Sequence, residues 1–422
     1  MTAKSNQKGF SHTLIILIAA AVVLCILVVA HRVRLKAEQK NQSNQASLNI
    51  SSNGFVHESG TQLLDGNGKP LKLTGVNFGG WLEWEGWIWG KGLDYIGQTD
   101  MMKNLTSLVG SSAANKFQSD VENNYVTQDD FNAVAADGFN YVRIPFNYTM
   151  LIDGSGSYKD SGWTILDNAL AQAKQAHVYV VLDMQEAPCG QSRIFFAGYT
   201  GGPTLWQSNQ CQTDTTNLWK AIASRYANDT SLIGYDLLGE PSTSNAQLSS
   251  FYKTTTSAIR QVDKNHVLIY EGNKFATDMS VFTGRLDSNQ MLSFHAYAWK
   301  NNIPSKLAQF DPYSAKFNSP LFIGEYGQAY YPELSQYAQS FMNDKSVAGY
   351  SMWTWKQVQE LPTIQRINET ADSQKLIDWM NNTTRSQPSQ EEAQQGISDF
   401  INSIKFQNTT TDRVTVQSLT AK

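Results

Sequence analysis

From residue 55 onward, short runs rich in β-branched and aromatic residues alternate with stretches whose apolar positions recur every three or four residues. The runs at 72–78, 140–146, 178–184, 233–238, 267–270, 291–296, 321–326 and 349–355 read as strands. Between them, 129–136, 164–176, 215–227, 247–263 and 332–343 carry the amphipathic spacing of helices. This alternation predicts repeated βα units and a parallel sheet, and eight strands is the number that closes such a sheet into a (β/α)8 barrel. One more helix is predicted at 390–404, before a polar tail at 406–422 expected to be coil.

Ahead of this region the pattern changes. Residues 13–30 form an uncharged apolar run, about as long as the roughly 18 residues that suggest a spanning helix. It reads as a membrane anchor behind a short segment at 1–12, with a signal peptide as the alternative. A linker at 31–53 follows, rich in Gln, Asn and Ser and unable to bury a core. The expected fold class is therefore α/β, a barrel over 54–405 preceded by a single N-terminal transmembrane helix.

Composition narrows the chemistry. Charged residues are 17% of the chain and the net charge is −4, which leaves no basic field for nucleic acid. The 11 Trp and 18 Tyr suit stacking on sugar faces, although a large core absorbs most aromatics. Cys25 falls in the apolar run; Cys189 and Cys211 form either a pair or two free thiols.

Glu240 follows the apolar run IGYDLL and precedes Pro241, and Glu325 follows LFIG, so strands four and seven each deliver a carboxyl to one rim of the barrel. Two facing carboxyls are what glycoside cleavage requires. Alone, either is an ordinary strand-end acid; the surroundings shift the balance. Arg143 in YVRIPF offers a permanent cation to keep one carboxylate ionised, against a structural ion pair as its plain role. His295 and Tyr297 in SFHAY end strand six, beside the strand-seven carboxylate. Trp353 and Trp355 lie two apart on strand eight and face one side, to floor a sugar or to fill core. Trp81, Trp84, Trp87 and Trp89 crowd the loop after strand one, where they line a saccharide cleft or form a buried lid.

In this order, the motifs GVNFGGWL, NYVRIPFNY, VLDMQEAP, YDLLGEPS, SFHAYAW, LFIGEYG and MWTWK resemble glycoside hydrolase family 5, the cellulase family, most of all its branch of fungal exo-β-1,3-glucanases. The resemblance implies Glu240 as acid/base and Glu325 as nucleophile, with Arg143, His295, Tyr297 and Trp355 around the sugar at the cleaved bond. Two departures stand out. The family usually places Asn before the acid/base, where this chain has Gly239, and His two residues after the strand-three Asp, where it has Gln185. Gly239 has no side-chain amide to hydrogen-bond the sugar 2-hydroxyl, and Gln185 can hydrogen-bond but cannot take up a proton near neutral pH.

The reading is thus a retaining β-glucanase acting on a β-1,3- or β-1,4-glucan without metal or cofactor, and without an obligate protein partner. Gly239 and Gln185 keep open a carbohydrate-binding protein on an impaired barrel, and a transglycosylase shares the same first step. Arg32, Arg34, Lys36 and Lys40 outnumber Lys4 and Lys8, which by charge alone holds the C-terminal side in the cytoplasm. A polymeric substrate outside the membrane places the catalytic domain outside instead, or free in the medium if the segment is cleaved.

Overall fold

The computed structural model describes residues 54–92, 94–199, 201–297, 303–327, 331–358 and 362–420. The apolar run at 13–30 and its linker lie outside these residues, and with them the anchor. No helix among the described residues is long and apolar enough to cross a membrane.

All eight expected strands form, and they close into one parallel barrel: β1 (Leu73–Asn77), β2 (Tyr141–Asn147), β3 (Tyr179–Glu186), β4 (Leu232–Asp236), β5 (Val267–Glu271), β6 (Gln290–Tyr297), β7 (Leu321–Gly327) and β8 (Val347–Met352). Pairing of Gly349 with Leu73 joins β8 to β1 and removes any free edge. Strands such as β2 and β3 are buried along their whole length, because helices cover one face and the barrel interior the other.

The lower interior is packed by one or two residues from every strand: Leu73, Tyr141, Tyr179, Val181, Ile233, Val267, Ile269, Met291, Phe322 and Ala348. Val56 and Leu63 from an N-terminal hairpin (His57–Ser59 with Gln62–Leu64) plug that end. Gly75 makes room in this layer, since a Cβ there would stand 2.4 Å from the Tyr141 ring. With its floor filled, the barrel can hold polar chemistry only toward the C-terminal ends of its strands.

Five helices fall where the periodicity predicts them: α1 (Gln128–Ala136), α2 (Asp160–Gln175), α3 (Asn209–Tyr226), α4 (Asn245–Arg260) and, after β7, Tyr331–Asn343. A capping box between Thr127 and Asp130 starts α1. Between β5 and β6 the crossover shrinks to short turns around Asn273–Ala276 and Met279–Val281. The tail departs from expectation. Thr410–Thr411 pairs antiparallel with Gln365–Arg366, and Arg413–Thr420 is a helix rather than coil. Val416 and Leu419, three apart among polar neighbours, form its buried stripe. Cys189 and Cys211 are joined in a disulfide, which resolves the choice the sequence left open.

Candidate active site

Four strands bring the central groups together. Glu325 lies in β7 in register with His295 of β6, and Arg143 projects from β2. Glu240 sits in the loop after β4 with φ 45°, a left-handed conformation rare for a residue with a side chain. Its backbone N–H donates to Glu271 Oε2 at 2.6 Å, which ties this turn to the end of β5. An oxygen of Glu240, an oxygen of Glu325 and a ring nitrogen of His295 all lie within 4.8 Å of one another.

His295 links the pair. Its Nδ1 is 2.7 Å from Glu240 Oε1 and 3.4 Å from Glu325 Oε2, and its Nε2 is 3.0 Å from Glu271 Oε1. Burial opposes charge on the imidazole, but Glu271, Glu325 and Glu240 outweigh it and raise His295 well above its usual range. Both oxygens of Glu325 are held: Arg143 Nη1 donates to Oε1 at 3.1 Å and the Tyr297 hydroxyl to Oε2 at 2.5 Å. Burial raises Glu240, partly opposed by the His295 hydrogen bond.

Beneath the pair lies a wholly buried ion cluster. Arg143 meets four carboxylates, Asp183 at 3.1 Å, Asp236 at 2.9 Å, Glu271 at 3.0 Å and Glu325 at 3.1 Å, and also donates to Asn77 Oδ1. One guanidinium cannot neutralise four anions in so dry a place. Burial accordingly raises Asp183 well above the carboxylate range and lifts Asp236, repelled also by Glu271, to about 7. For Glu271 burial acts the same way, yet His295, Arg143 and the Glu240 N–H overcome it and hold that carboxyl low. The oxygens of Asp183, Asp236 and Glu271 lie within 4.8 Å of one another, but the charge facing them is the Arg143 guanidinium.

Glu240, Glu325, Arg143, His295 and Tyr297 therefore converge as expected. Gln185 and Gly239 lie alongside, with Gln191 Nε2 donating to the backbone oxygens of both. Trp353 follows the C-terminal end of β8 and is 3% exposed, its backbone N–H donating to Tyr326 O and its ring so close to Gly79 that a Cβ there would meet it at 2.7 Å. Two expectations need correction. Trp355 is fully buried, its indole N–H given to Asp130 Oδ1 at 2.9 Å, so it braces β8 against α1 rather than facing a sugar. Trp81 is also buried, bonded to Glu122 O and packed edge-on against Phe78. The Trp81 to Trp89 loop is a buried lid: Trp84 and Trp89 pack on Phe117, and Trp89 on Phe400.

Sequence reasoning passed over Asp236 and Glu271, and saw in Asp183 only a motif position. The available signal was an acid inside an otherwise apolar strand, as in VVLDM and IGYDLL, which demands an internal partner. It also passed over three further buried acids of the mouth. Burial raises Glu83 to about 8 and Glu85 and Glu186 well above the usual range.

A closed parallel barrel with paired carboxyls at the C-terminal ends of its strands defines the class of (β/α)8 barrels that work on sugars. A family model described as Cellulase (glycosyl hydrolase family 5) matches residues 99–359. The chain belongs to that family. It is 30% identical over 233 residues to a protein named "Beta-xylosidase" from Phanerodontia chrysosporium, covering 54% of this chain and 48% of the relative. Against a "Probable glucan 1,3-beta-glucosidase A" of Aspergillus fumigatus it is 33% identical over 198 residues, 45% of this chain and 47% of that one. The chain thus matches about half the length of these curated relatives. The crystal structure of a rutinosidase from Aspergillus niger shares the fold with a TM-score of 0.57 at 17% identity, over 68% of this chain and 90% of that one.

Proposed function

We propose that this chain hydrolyses β-glucosidic bonds of a β-glucan with retention of configuration, with Glu240 as acid/base and Glu325 as nucleophile. The observation that carries the reading is the approach of their carboxyl oxygens to within 4.8 Å. That close approach supports a double displacement, whose carboxyl groups stand roughly 5–5.5 Å apart, over the roughly 6.5–9.5 Å spacing that admits a water in one step.

In the first step Glu325 attacks the anomeric carbon while Glu240 gives its proton to the departing glycosidic oxygen, leaving a glycosyl ester on Glu325. Glu240, now a carboxylate, then takes a proton from water, whose oxygen displaces Glu325 and restores the original anomer. The division of labour follows from the surroundings. Arg143 and Tyr297 donate to the two oxygens of Glu325 and aim that carboxyl, whereas burial favours the neutral form of Glu240. Trp353, just past the C-terminal end of β8, serves as the stacking surface for the sugar at the cleaved bond, and Gln185 contacts its hydroxyls.

Glucan as substrate is supported by the name of the Aspergillus fumigatus relative and by family membership. Placement outside the cell, tethered by residues 13–30, is supported by that apolar run and by the Cys189–Cys211 disulfide, a bond that persists in oxidising compartments. Membrane fractionation of the full chain, with protease added to intact cells, tests it. Residues 54–422 retained inside after that treatment would contradict it.

The catalytic assignment is tested by Glu325→Gln and Glu240→Gln assayed on β-1,3- and β-1,4-glucans. Each is expected to lose roughly 10³-fold or more in kcat. Undiminished hydrolysis by the Glu325 variant overturns the assignment.

A further inference from the structure

The peptide plane between Gly239 and Glu240 is held at both of its ends. Its carbonyl oxygen, on Gly239, accepts from Gln191 Nε2 at 2.7 Å, and its N–H, on Glu240, donates to Glu271 Oε2 at 2.6 Å. A peptide unit is planar, so bonds at its two opposite ends fix its rotation. Turning it would change ψ of Gly239 and φ of Glu240 together, and that φ stands at 45°, where a residue with a side chain seldom rests. Glycine resists such a turn least of all residues, because it has no Cβ. The backbone at 239 therefore leaves the orientation of the plane to the groups that hold its ends.

Gln191 is built for this task. Its side chain is wholly buried in the loop after β3, and its amide is fully used. Nε2 gives its other hydrogen to Gln185 O at 2.6 Å, and Oε1 accepts from the Ala187 N–H at 3.1 Å. The amide cannot be reversed, since Oε1 would then face two carbonyl oxygens. The backbone behind it is fixed as well. Trp206 Nε1 donates to Gln191 O at 2.6 Å, the Leu205 N–H donates to Gly190 O at 2.9 Å, and the Cys189–Cys211 disulfide joins the same loop to α3. Glu271, at the other end of the plane, also bonds Arg143 and His295, so changing it disturbs the ion cluster. The Gln191 side chain bonds backbone atoms, so changing it tests the plane by itself.

We propose that Gln191 is a positioning residue for Glu240: its amide locks the 239–240 peptide in the orientation that aims the Glu240 carboxyl at His295, Glu325 and the bond to be cleaved. The proposal rests on the reading of Glu240 as acid/base. Without the amide, Gly239 O loses its donor, the plane turns, and Glu240 relaxes toward ordinary φ with its carboxyl drawn off the bond. A misaimed acid has a signature that general loosening lacks. The glycosidic oxygen of a glucan must receive a proton as it departs, whereas 2,4-dinitrophenolate departs as a stable anion. Since kcat/KM reports the steps up to that departure, the later work of Glu240 as base does not enter it.

The test uses Gln191→Met in the full chain, which keeps the length of the side chain and removes the amide. Its substrates are laminarihexaose, cellohexaose and 2,4-dinitrophenyl β-glucoside. On the hexasaccharide that the wild type cleaves, kcat/KM is expected to fall roughly 10–100-fold, with the dinitrophenyl glucoside within about threefold of wild type. Equal losses on both, or no loss on the hexasaccharide, overturn the proposal. Should Gln191→Met fail to fold, Trp206→Phe takes its place: it keeps a ring but releases Gln191 O, and the same selectivity is expected with a severalfold loss. Without that selectivity the proposal falls. If the wild type cleaves none of these substrates, or Glu240→Gln loses equally on both kinds, the acid/base reading fails by itself. A crystal structure of the folded variant then decides the proposal. Glu240 moved from φ 45°, with its carboxyl gone from His295 Nδ1, supports it, and an unmoved Glu240 removes it.

Discussion

Gln185 occupies the space in which a side chain at position 239 would lie: a Cβ on Gly239 would stand 2.3 Å from Gln185 Oε1 and 3.1 Å from Gln185 Cα. The two departures from the family pattern are therefore one. An amide is absent from the residue before Glu240, and a different amide, from β3, fills the same volume. Gln185 Oε1 is buried without a partner among the described residues, which suits an acceptor waiting for a sugar hydroxyl. Gly239→Ala is expected to destabilise the fold by about 1–3 kcal/mol, and by much less when Gln185→Ala is also present. Urea denaturation of the two single variants and the double variant measures the coupling; strictly additive losses would show that the two positions do not compete for space.

Glu83 predicts a pH dependence of stability. Burial, reinforced by repulsion from Glu325 and eased by the Gly80 N–H, raises its carboxyl to about 8 in the folded chain. The unfolded chain releases that proton near the ordinary value of 4.5, so Glu83's contribution is complete below about 4.5 and is lost as pH rises through about 8. Glu83→Gln keeps the shape and an acceptor for Gly80 but has no proton to lose. Its melting temperature should fall less than that of wild type between about pH 5 and about pH 9, by on the order of several °C. Parallel melting curves across that range would contradict the argument.

Tyr297→Phe removes the 2.5 Å hydrogen bond to Glu325 Oε2 and leaves the Arg143 bond to Oε1 in place. With that bond gone, Oε2 is left to His295 Nδ1 at 3.4 Å, and the carboxylate is less well aimed at the anomeric carbon. Steady-state kinetics on a β-glucan should show kcat lower by roughly 10–100-fold with KM little changed. A change confined to KM would instead make Tyr297 a binding residue that does not orient the nucleophile.

The barrel was legible because each strand is a short apolar run ended by a polar or turn residue, and because helix and strand periods alternate without interruption from β1 to β8. Glu240 and Glu325 were legible for the same reason: each stands just where an apolar run stops. What lay beneath them was not. Asp183, Asp236 and Glu271 face inward in buried strands, and nothing local in the chain says that Arg143, far away in sequence, will gather them. The apolar run at 267–270 stops one residue short of Glu271, the acid that completes β5. Trp81 and Trp355 depart from expectation because a Trp suits a core as well as a sugar face. Their burial is decided by distant groups, Glu122, Phe78 and Asp130, that arrive only with the tertiary fold.

If Glu325 bonds covalently to the sugar while Glu240 serves first as acid and then as base, two inversions return the anomeric carbon to its starting β configuration. Proton NMR of the sugar released in the first minutes of glucan hydrolysis, before mutarotation, tests this most directly. The β-anomer is expected to appear first and to convert slowly to the α/β mixture. Initial release of the α-anomer would mean a single displacement by water and would contradict it.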